Sequence, residues 1–595
     1  MTTNEKIAAL RSAMQAAGAN ACLIPSSDPH INEEDMPDHW LAQRYFSGFT
    51  GGNSTLVVTE QSSALWVDGR YFVQAEQQLA GSEIQLQRMK MPGVPTVTEY
   101  LENTLTNGQV LAVDGWVNAA GKVQEWQNAL AKKGAQVKDL ELVDANWPGR
   151  PAVPATPAWL LEERFAGESA ASKLSRLRAQ LQQQEATAQV VTRLDSMAWL
   201  LNLRAADIEC TPFALCWGFV SQTHAVLFIN SQRLPADAQA ALAAQGVELR
   251  GYEELPAYLA AYSEKETVLV DASCTNFAIY NALQHNPAFT LVKAADPIQL
   301  MKGVKSEAEM KNIRNAHAKD GVAMVRFQME LEQKMAAGET VTECDIGKML
   351  YKYRSAQDEF LMESFPTIAA YGPNAAMMHY FPLPENCATV QPKGFLLVDS
   401  GAQYRDGTTD ITRTYAMGEL TQQEKWWYTL VLKCHMAMAR CVFLEGCTGG
   451  NLDIIARSPL WQQGIDYRCG TGHGVGFVGA VHEGPQSLRT TNNVPFRPGM
   501  TVTDEPGVYE TDQVGIRIES ELCCIAKEEN QYGRFLAFED FTYCPIDLTP
   551  VLPEMLDAGE KEWINGYHKL VFDTLAPRLT PEEKTWLAAK TAPMA

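Results

Sequence analysis

Long apolar runs are missing from this chain: nowhere do eighteen apolar residues follow one another, so no membrane-spanning helix is expected. The N-terminal stretch MTTNEKIAALRSAMQAAGANACLIP has neither the basic start nor the apolar core of a secretory leader, and a cytoplasmic protein is expected. Positive charge is scarce. Lys and Arg number 49 against 71 Asp and Glu, giving a net charge of -22. With no basic run to offset it, that charge repels phosphate backbones and anionic bilayers, so neither nucleic acid nor membrane is an expected partner. The 13 cysteines include no CxxC pair, which fits reduced thiols rather than a disulfide framework.

Core material is ample. At 595 residues with 46% hydrophobic and 20% charged residues, the chain is globular and too long for one core. The proline-rich stretch WPGRPAVPATPAW, Trp147 to Trp159, denies both helix and central strand and reads as a linker. A second seam, AADPIQLMKGVKSEAEM, Ala294 to Met310, leads into a helical pattern. The α/β organisation expected is therefore an N-terminal α/β domain over 1–150, a second of similar fold over 158–297, and a C-terminal domain over 301–595. Strand-like stretches recur in the first two: MAWLLNL, HAVLFI and TVLVDAS echo earlier ones, and VLVDAS matches VLAVDG. The chain closes on TPEEKTW, a capping box that opens a short amphipathic helix.

Chemistry concentrates beyond residue 301. In LLVDSGAQYRDGTTDITRTY an apolar run ends at Asp399, a turn follows at Asp406-Gly407, and a Thr-rich strand carries Asp410. A hairpin places the two carboxylates roughly opposite each other. VTDEPGVYETDQVGIRIESEL repeats the logic, with Glu505 and Glu519 equidistant from a reversal near Thr511 to Gln513. Either pair alone reads as solvated turn carboxylates. Together, with Asp399 and Glu519 inside apolar strand patterns, they form a cluster of four negative charges that is costly unless cations sit among them.

The stretch GTGHGVGFVGAVHEGPQ, Gly470 to Gln486, carries two histidines on a glycine-rich backbone. GVGFVG matches a dinucleotide fingerprint formally, but no apolar strand leads directly into it, Pro485 interrupts the helix that should follow, and no acid lies between Glu483 and Asp504 to hold a ribose. The glycines are instead expected to let backbone approach an ion site closely while adopting unusual dihedrals, with His473 as an imidazole ligand and His482 as a donor into the same cavity. His379, in PTIAAYGPNAAMMHYFP, sits on an irregular path enforced by prolines. His317 and His435 fall in helical patterns and are assigned to structure; His30, His39, His224, His285 and His568 carry no clear signal.

With Asp399, Asp410, His473, Glu505 and Glu519 in these motifs, and in this order, the chain resembles the Xaa-Pro aminopeptidase (aminopeptidase P) family of pita-bread metallopeptidases. YFSGFTGGNSTLVVTEQSSALWVDGRYFVQAE and SMAWLLNLRAADI look like that family's first and second domains, and WINGYHKLVFDTLAPRL resembles its long, three-domain cytosolic form. The resemblance implies two divalent metal ions, manganese being usual, on those five residues, with Asp410 and Glu519 bridging. It further implies attack by a hydroxide bridging the metals, His379 and His482 lining the cavity, Glu505 carrying a proton to the leaving proline nitrogen, and a homodimer. Arg517, two residues from Glu519 on the same strand face, is expected to orient the carboxylates.

The substrates implied are peptides with proline as second residue, whose tertiary amide and restricted backbone fit ordinary aminopeptidase sites poorly. Cys469 stands where the family pattern often has a histidine before GTGHG, which bears on selectivity around the proline ring unless the thiol merely packs. The alternatives are a prolidase restricted to Xaa-Pro dipeptides and a non-catalytic peptide-binding module. Filled ligand positions argue against the second.

Overall fold

The computed structural model describes residues 1–32 and 35–594. The chain forms two compact units, one of Met1–Glu162 with Glu168–Ile298 and one of Glu163–Gly167 with Gln299–Ala595. Among the described residues no helix is long and apolar enough to cross a membrane.

The first unit holds two six-stranded sheets of one design. In the first, the strands run in the order Ile84–Arg88, Ser63–Val67, Ser54–Thr59, Ala21–Pro25, Val110–Val113, Gln136–Asp139. In the second they run Glu248–Arg250, Ala225–Phe228, Trp217–Ser221, Ala188–Val191, Glu266–Val270, Phe289–Lys293. Both sheets show the same run of pairings, parallel, antiparallel, antiparallel, parallel and parallel. Trp66 and Trp126 from one half share a hydrophobic cluster with Phe219 and Phe228 from the other. MAWLLNL, expected as a strand, lies mostly in the helix Leu194–Leu200 instead; the strand of this half is the fully buried AQVV, Ala188–Val191. A short run that is apolar throughout has no period by which to choose between buried helix and buried strand.

The paired sequences VLAVDG and VLVDAS end in two turns that bind each other reciprocally. Ala120 N–H donates to the Thr275 carbonyl and Phe277 N–H to that of Asn118, both at 2.9 Å. Gly121 N–H donates to the carbonyl of Ala272 (2.8 Å) and Ala278 N–H to that of Gly115 (2.9 Å), so equivalent residues exchange equivalent bonds about a local two-fold axis. Internal repetition here serves as an isologous interface inside one chain.

In the second unit the long helix Glu307–Ala336, started by the Ser306–Glu309 capping box, is followed by the helix Glu343–Arg354. Two antiparallel sheets form its centre. Strand Phe395–Ser400 lies between Ile368–Tyr371 and Ile411–Ala416; Ser520–Asn530 lies between Thr501–Asp504 and Gly533–Asp540, with Val442–Leu444 outermost. Helices Gln422–Ala439 and Ala558–Leu575 contribute Tyr428, Leu432, Ile564 and Val571 to the cluster that also buries Phe395 and Ile516.

A wholly buried ion pair ties the long helix to the strand that carries Asp399. Arg354 donates from Nε and Nη2 to the two carboxylate oxygens of Asp320 at 2.8 and 3.0 Å, and from Nη2 to the carbonyl of Ser400 at 3.3 Å. Leaving one member of such a pair buried alone costs about 3–5 kcal/mol. Arg354→Leu is expected to destabilise the second unit by that margin, read by thermal or urea unfolding; an unchanged midpoint would show the pair to be dispensable.

Candidate metal centre

The carboxylates arise from two interrupted hairpins. In the first, Asp399 pairs with Thr412 and Ser400 with Ile411; beyond a break, Gln403 pairs with Thr408 and Tyr404 with Gly407 in the same register. Asp410 lies in the break, opposite Gly401, where an added Cβ would fall 1.9 Å from the Thr409 carbonyl. In the second, Asp504 pairs with Ser520 and Gly507 with Arg517, again in one register, and Glu505 and Glu519 face each other across the break. A broken ladder frees residues from strict alternation, which lets neighbouring side chains turn toward one space.

His473 sits on the two-residue strand Gly472–His473, paired with Ser487–Leu488. The glycines around it work by close approach: a Cβ on Gly472 would lie 1.8 Å from the Thr503 carbonyl, and one on Gly474 would lie 2.1 Å from that of Glu483. Unusual dihedrals, also expected of them, are not how they act. No glycine from Gly470 to Gly484 has positive φ, and the left-handed residue of this loop is Val478, at φ 49°. No helix follows GVGFVG.

Asp410, His473 and Glu519, all buried, offer ligand atoms within 4.8 Å of one another. His473 Nε2 is 3.5 Å from Asp410 Oδ2 and 3.5 Å from Glu505 Oε1. Asp399 acts electrostatically on Asp410, Glu505 and Glu519, so the four carboxylates share one space. Burial first, then mutual repulsion, holds Asp410 and Glu519 well above the usual carboxylate range. Burial pushes Glu505 up to about 7, with Asp399 adding to the shift and Arg517 and His482 opposing it.

Arg517 reaches the site through Asp399 and Thr412. Its Nη2 donates to Asp399 Oδ2 at 2.5 Å, its Nε to Thr412 Oγ at 3.1 Å, and its Nη1 to the Tyr509 phenol at 2.7 Å. Thr412 in turn donates to Glu519 Oε2 at 2.6 Å, so the guanidinium orients Glu519 through a hydroxyl. The His482 ring stands edge-on to His473 with centroids 4.2 Å apart. His379 is half-buried in the turn after the 3-10 helix Gly372–Ala376, and the carbonyl of its neighbour Met378 accepts from Arg517 at 3.4 Å. Cys469 packs beside the cluster containing Tyr467 and Val508, and its carbonyl accepts from Arg457.

Sequence reasoning passed over several participants. Thr503 receives the His473 N–H at 3.1 Å and donates to Glu505 at 3.4 Å. Glu521, opposite Thr503, is held by His317 Nε2 at 2.9 Å, and Asp504 by His435 Nδ1 at 2.9 Å. Glu483 is clasped by two buried lysines, Lys302 at 3.1 Å and Lys305 at 3.3 Å. The available signal was the period-two threonines of TTDITRTY and TVTDE, hydroxyls placed on the face of the carboxylates.

These residues fit metal ions. Oδ1 of Asp399 and Oδ1 of Asp410 are buried without a hydrogen-bond partner, and one imidazole among carboxylates is a donor set suited to divalent cations.

Residues 6–145 and 149–309 both match the Creatinase/Prolidase N-terminal domain, residues 311–525 match Metallopeptidase family M24, and residues 534–594 its C-terminal region. Fold and site thus define a metallopeptidase of pita-bread type behind two creatinase-type domains. Aminopeptidase P2 of Arabidopsis thaliana is 37% identical over 100% of this chain and 89% of its own, and a probable Xaa-Pro aminopeptidase P of Coprinopsis cinerea is 37% identical over 100% and 98%. The solved X-prolyl aminopeptidase of Caenorhabditis elegans, described as a cytosolic enzyme with a di-nuclear active site, is 32% identical, covers all of both chains and superposes with a TM-score of 0.95. The chain belongs to the aminopeptidase P (Xaa-Pro aminopeptidase) family.

A group whose folded-state pKa is raised binds its proton more tightly when folded, so the stability it contributes is lost as pH rises through that value. For Glu505 the window runs from about 4.5 to about 7, and Asp410 and Glu519 act in the same direction. Chelator-treated protein should therefore lose thermal stability between pH 5 and pH 8, and added manganese should restore more at pH 8 than at pH 5. A metal-free midpoint that rises over this range would contradict the strained-cluster picture.

Proposed function

We propose that this chain hydrolyses the N-terminal Xaa-Pro bond of peptides and releases the first amino acid, using two divalent ions, most simply manganese, held by Asp399, Asp410, His473, Glu505 and Glu519. The observation that carries the reading is the buried Asp410–His473–Glu519 group beside two unbonded aspartate oxygens, in a chain matched along its whole length by aminopeptidases of this specificity. When bound, the two ions supply a water acidic enough to attack near neutral pH and polarise the scissile carbonyl.

The protein's own groups do the remaining work. Asp410 and Glu519 would be among the residues that hold the ions, and Arg517 sets the carboxylate planes through Asp399 and Thr412. Glu505, beside His473, accepts the proton of the attacking water and returns it to the leaving proline nitrogen. His482, against His473, and His379 donate hydrogen bonds to the substrate carbonyl as it gains charge. An Xaa-Pro bond has no N–H to bind, so selectivity rests on the ring and on the free amine of the first residue. A homodimer acting in the cytoplasm is part of this reading, as is the division of the chain at 150–158 and 297–301. Four clustered carboxylates disfavour a non-catalytic binding module, and the close full-length relatives disfavour a dipeptide-only prolidase.

The test is release of the first residue from an Xaa-Pro-Xaa tripeptide by metal-stripped protein, before and after adding manganese. Manganese should switch hydrolysis on in the wild type and leave Asp410→Ala inactive. Cleavage of dipeptides alone would turn the reading to prolidase, and no cleavage with any divalent ion by folded protein would overturn it.

A further inference from the structure

Glu343, wholly buried at the start of the helix Glu343–Arg354, is a hub for the segment that presents His379. One carboxylate oxygen accepts from the backbone N–H of Tyr371 at 2.6 Å and the Asn374 amide at 3.0 Å; the other accepts from the Tyr380 phenol at 2.8 Å and the N–H of Ala388 at 2.7 Å. Donors on both sides of His379 thus converge on one side chain. Shifting it shifts the loop.

Two thiols meet beside this hub. Val390 N–H donates to the Val341 carbonyl at 2.9 Å, Thr342 bridges antiparallel to Thr389, and Glu343 N–H donates to the Ala388 carbonyl at 3.0 Å. The two cysteines flank the last of these contacts, Cys344 one residue beyond Glu343 in the first turn of the helix and Cys387 one residue before Ala388. The two side chains lie near enough to act on each other, and neither residue is fully buried.

We propose that Cys344 and Cys387 form a modification site, a dithiol that low-molecular-weight disulfides oxidise to a bridge across the base of the His379 loop. The Cys387 thiolate attacks the small disulfide RSSR, forming a mixed disulfide and expelling RS⁻. Cys344 then gives up its proton and attacks the Cys387 sulfur, expelling the other RS⁻. The two thiol protons pass to the two RS⁻ groups, and the two electrons lost by the protein reduce RSSR to 2 RSH. Drawing the sulfurs to a bond length of about 2.05 Å drags the neighbouring Glu343 and Ala388 with them. The consequence for activity rests on the reading of His379 as a group that meets substrate.

The experiment treats the manganese-loaded enzyme with glutathione disulfide, maps cross-linked peptides by mass spectrometry without reduction, and follows tripeptide hydrolysis. Expected are a Cys344–Cys387 link, a fall in kcat of about 10–100-fold, as an ångström-scale misplacement produces, recovery with dithiothreitol, and no fall in Cys387→Ser. Glutathione adducts on half-buried Cys210 or Cys447 without this link would overturn the site. A link that leaves kcat unchanged would overturn the coupling to His379. Should the peptidase reading itself fail, untreated enzyme would be inactive while the peptide map still decided the chemistry.

Discussion

Four carboxylates and one guanidinium in a largely buried space leave an excess of negative charge, and the rest of the second unit is arranged around that fact. Side by side in a low-dielectric interior, such groups repel one another and resist ionisation unless cations enter. The raised carboxyls and the unbonded oxygens of Asp399 and Asp410 are two expressions of one unmet demand. Divalent ions answer both, since they offset charge and occupy lone pairs that no protein donor reaches.

Holding mutually repelling groups together requires a stiff frame. Each hairpin keeps a single register on both sides of its break, so ladder bonds fix the backbone while the break aims the carboxylates inward. Gly401 and Gly472 stand where a Cβ would strike a neighbouring carbonyl, which brings the strands closer than other residues allow. Buried pairs surround the centre: His317 with Glu521, His435 with Asp504, Lys302 and Lys305 with Glu483. Each is poor value as stability alone, because desolvation consumes much of the attraction, but each has one geometry and so transmits position.

The α/β fold class was legible because strand and helix periods alternate in the chain, and the repeat was legible in VLAVDG and VLVDAS. That these two stretches lead into the turns that bind each other was not, since reciprocal backbone bonding is a tertiary property. Likewise Asp399 and Glu519 stood out as charges inside apolar strands, whereas Thr412 and Thr503 look like ordinary strand residues. Their roles come from partners about a hundred residues away in one case and thirty in the other. Glu343 follows Thr342 at the start of a helix and reads as a residue of its first turn; four donors on a distant segment make it a hub. MAWLLNL failed for want of a period, and the glycines were assigned dihedral freedom when their lack of a side chain was the property used.

On this reading the carboxylate cluster exists to hold two cations. Diffraction at the manganese absorption edge from crystals of the manganese-loaded protein measures this directly. Two anomalous peaks are expected beside Asp410 and Glu519, one of them within ligand distance of His473. A single peak, or none, in crystals of protein that still cleaves Xaa-Pro peptides would contradict it.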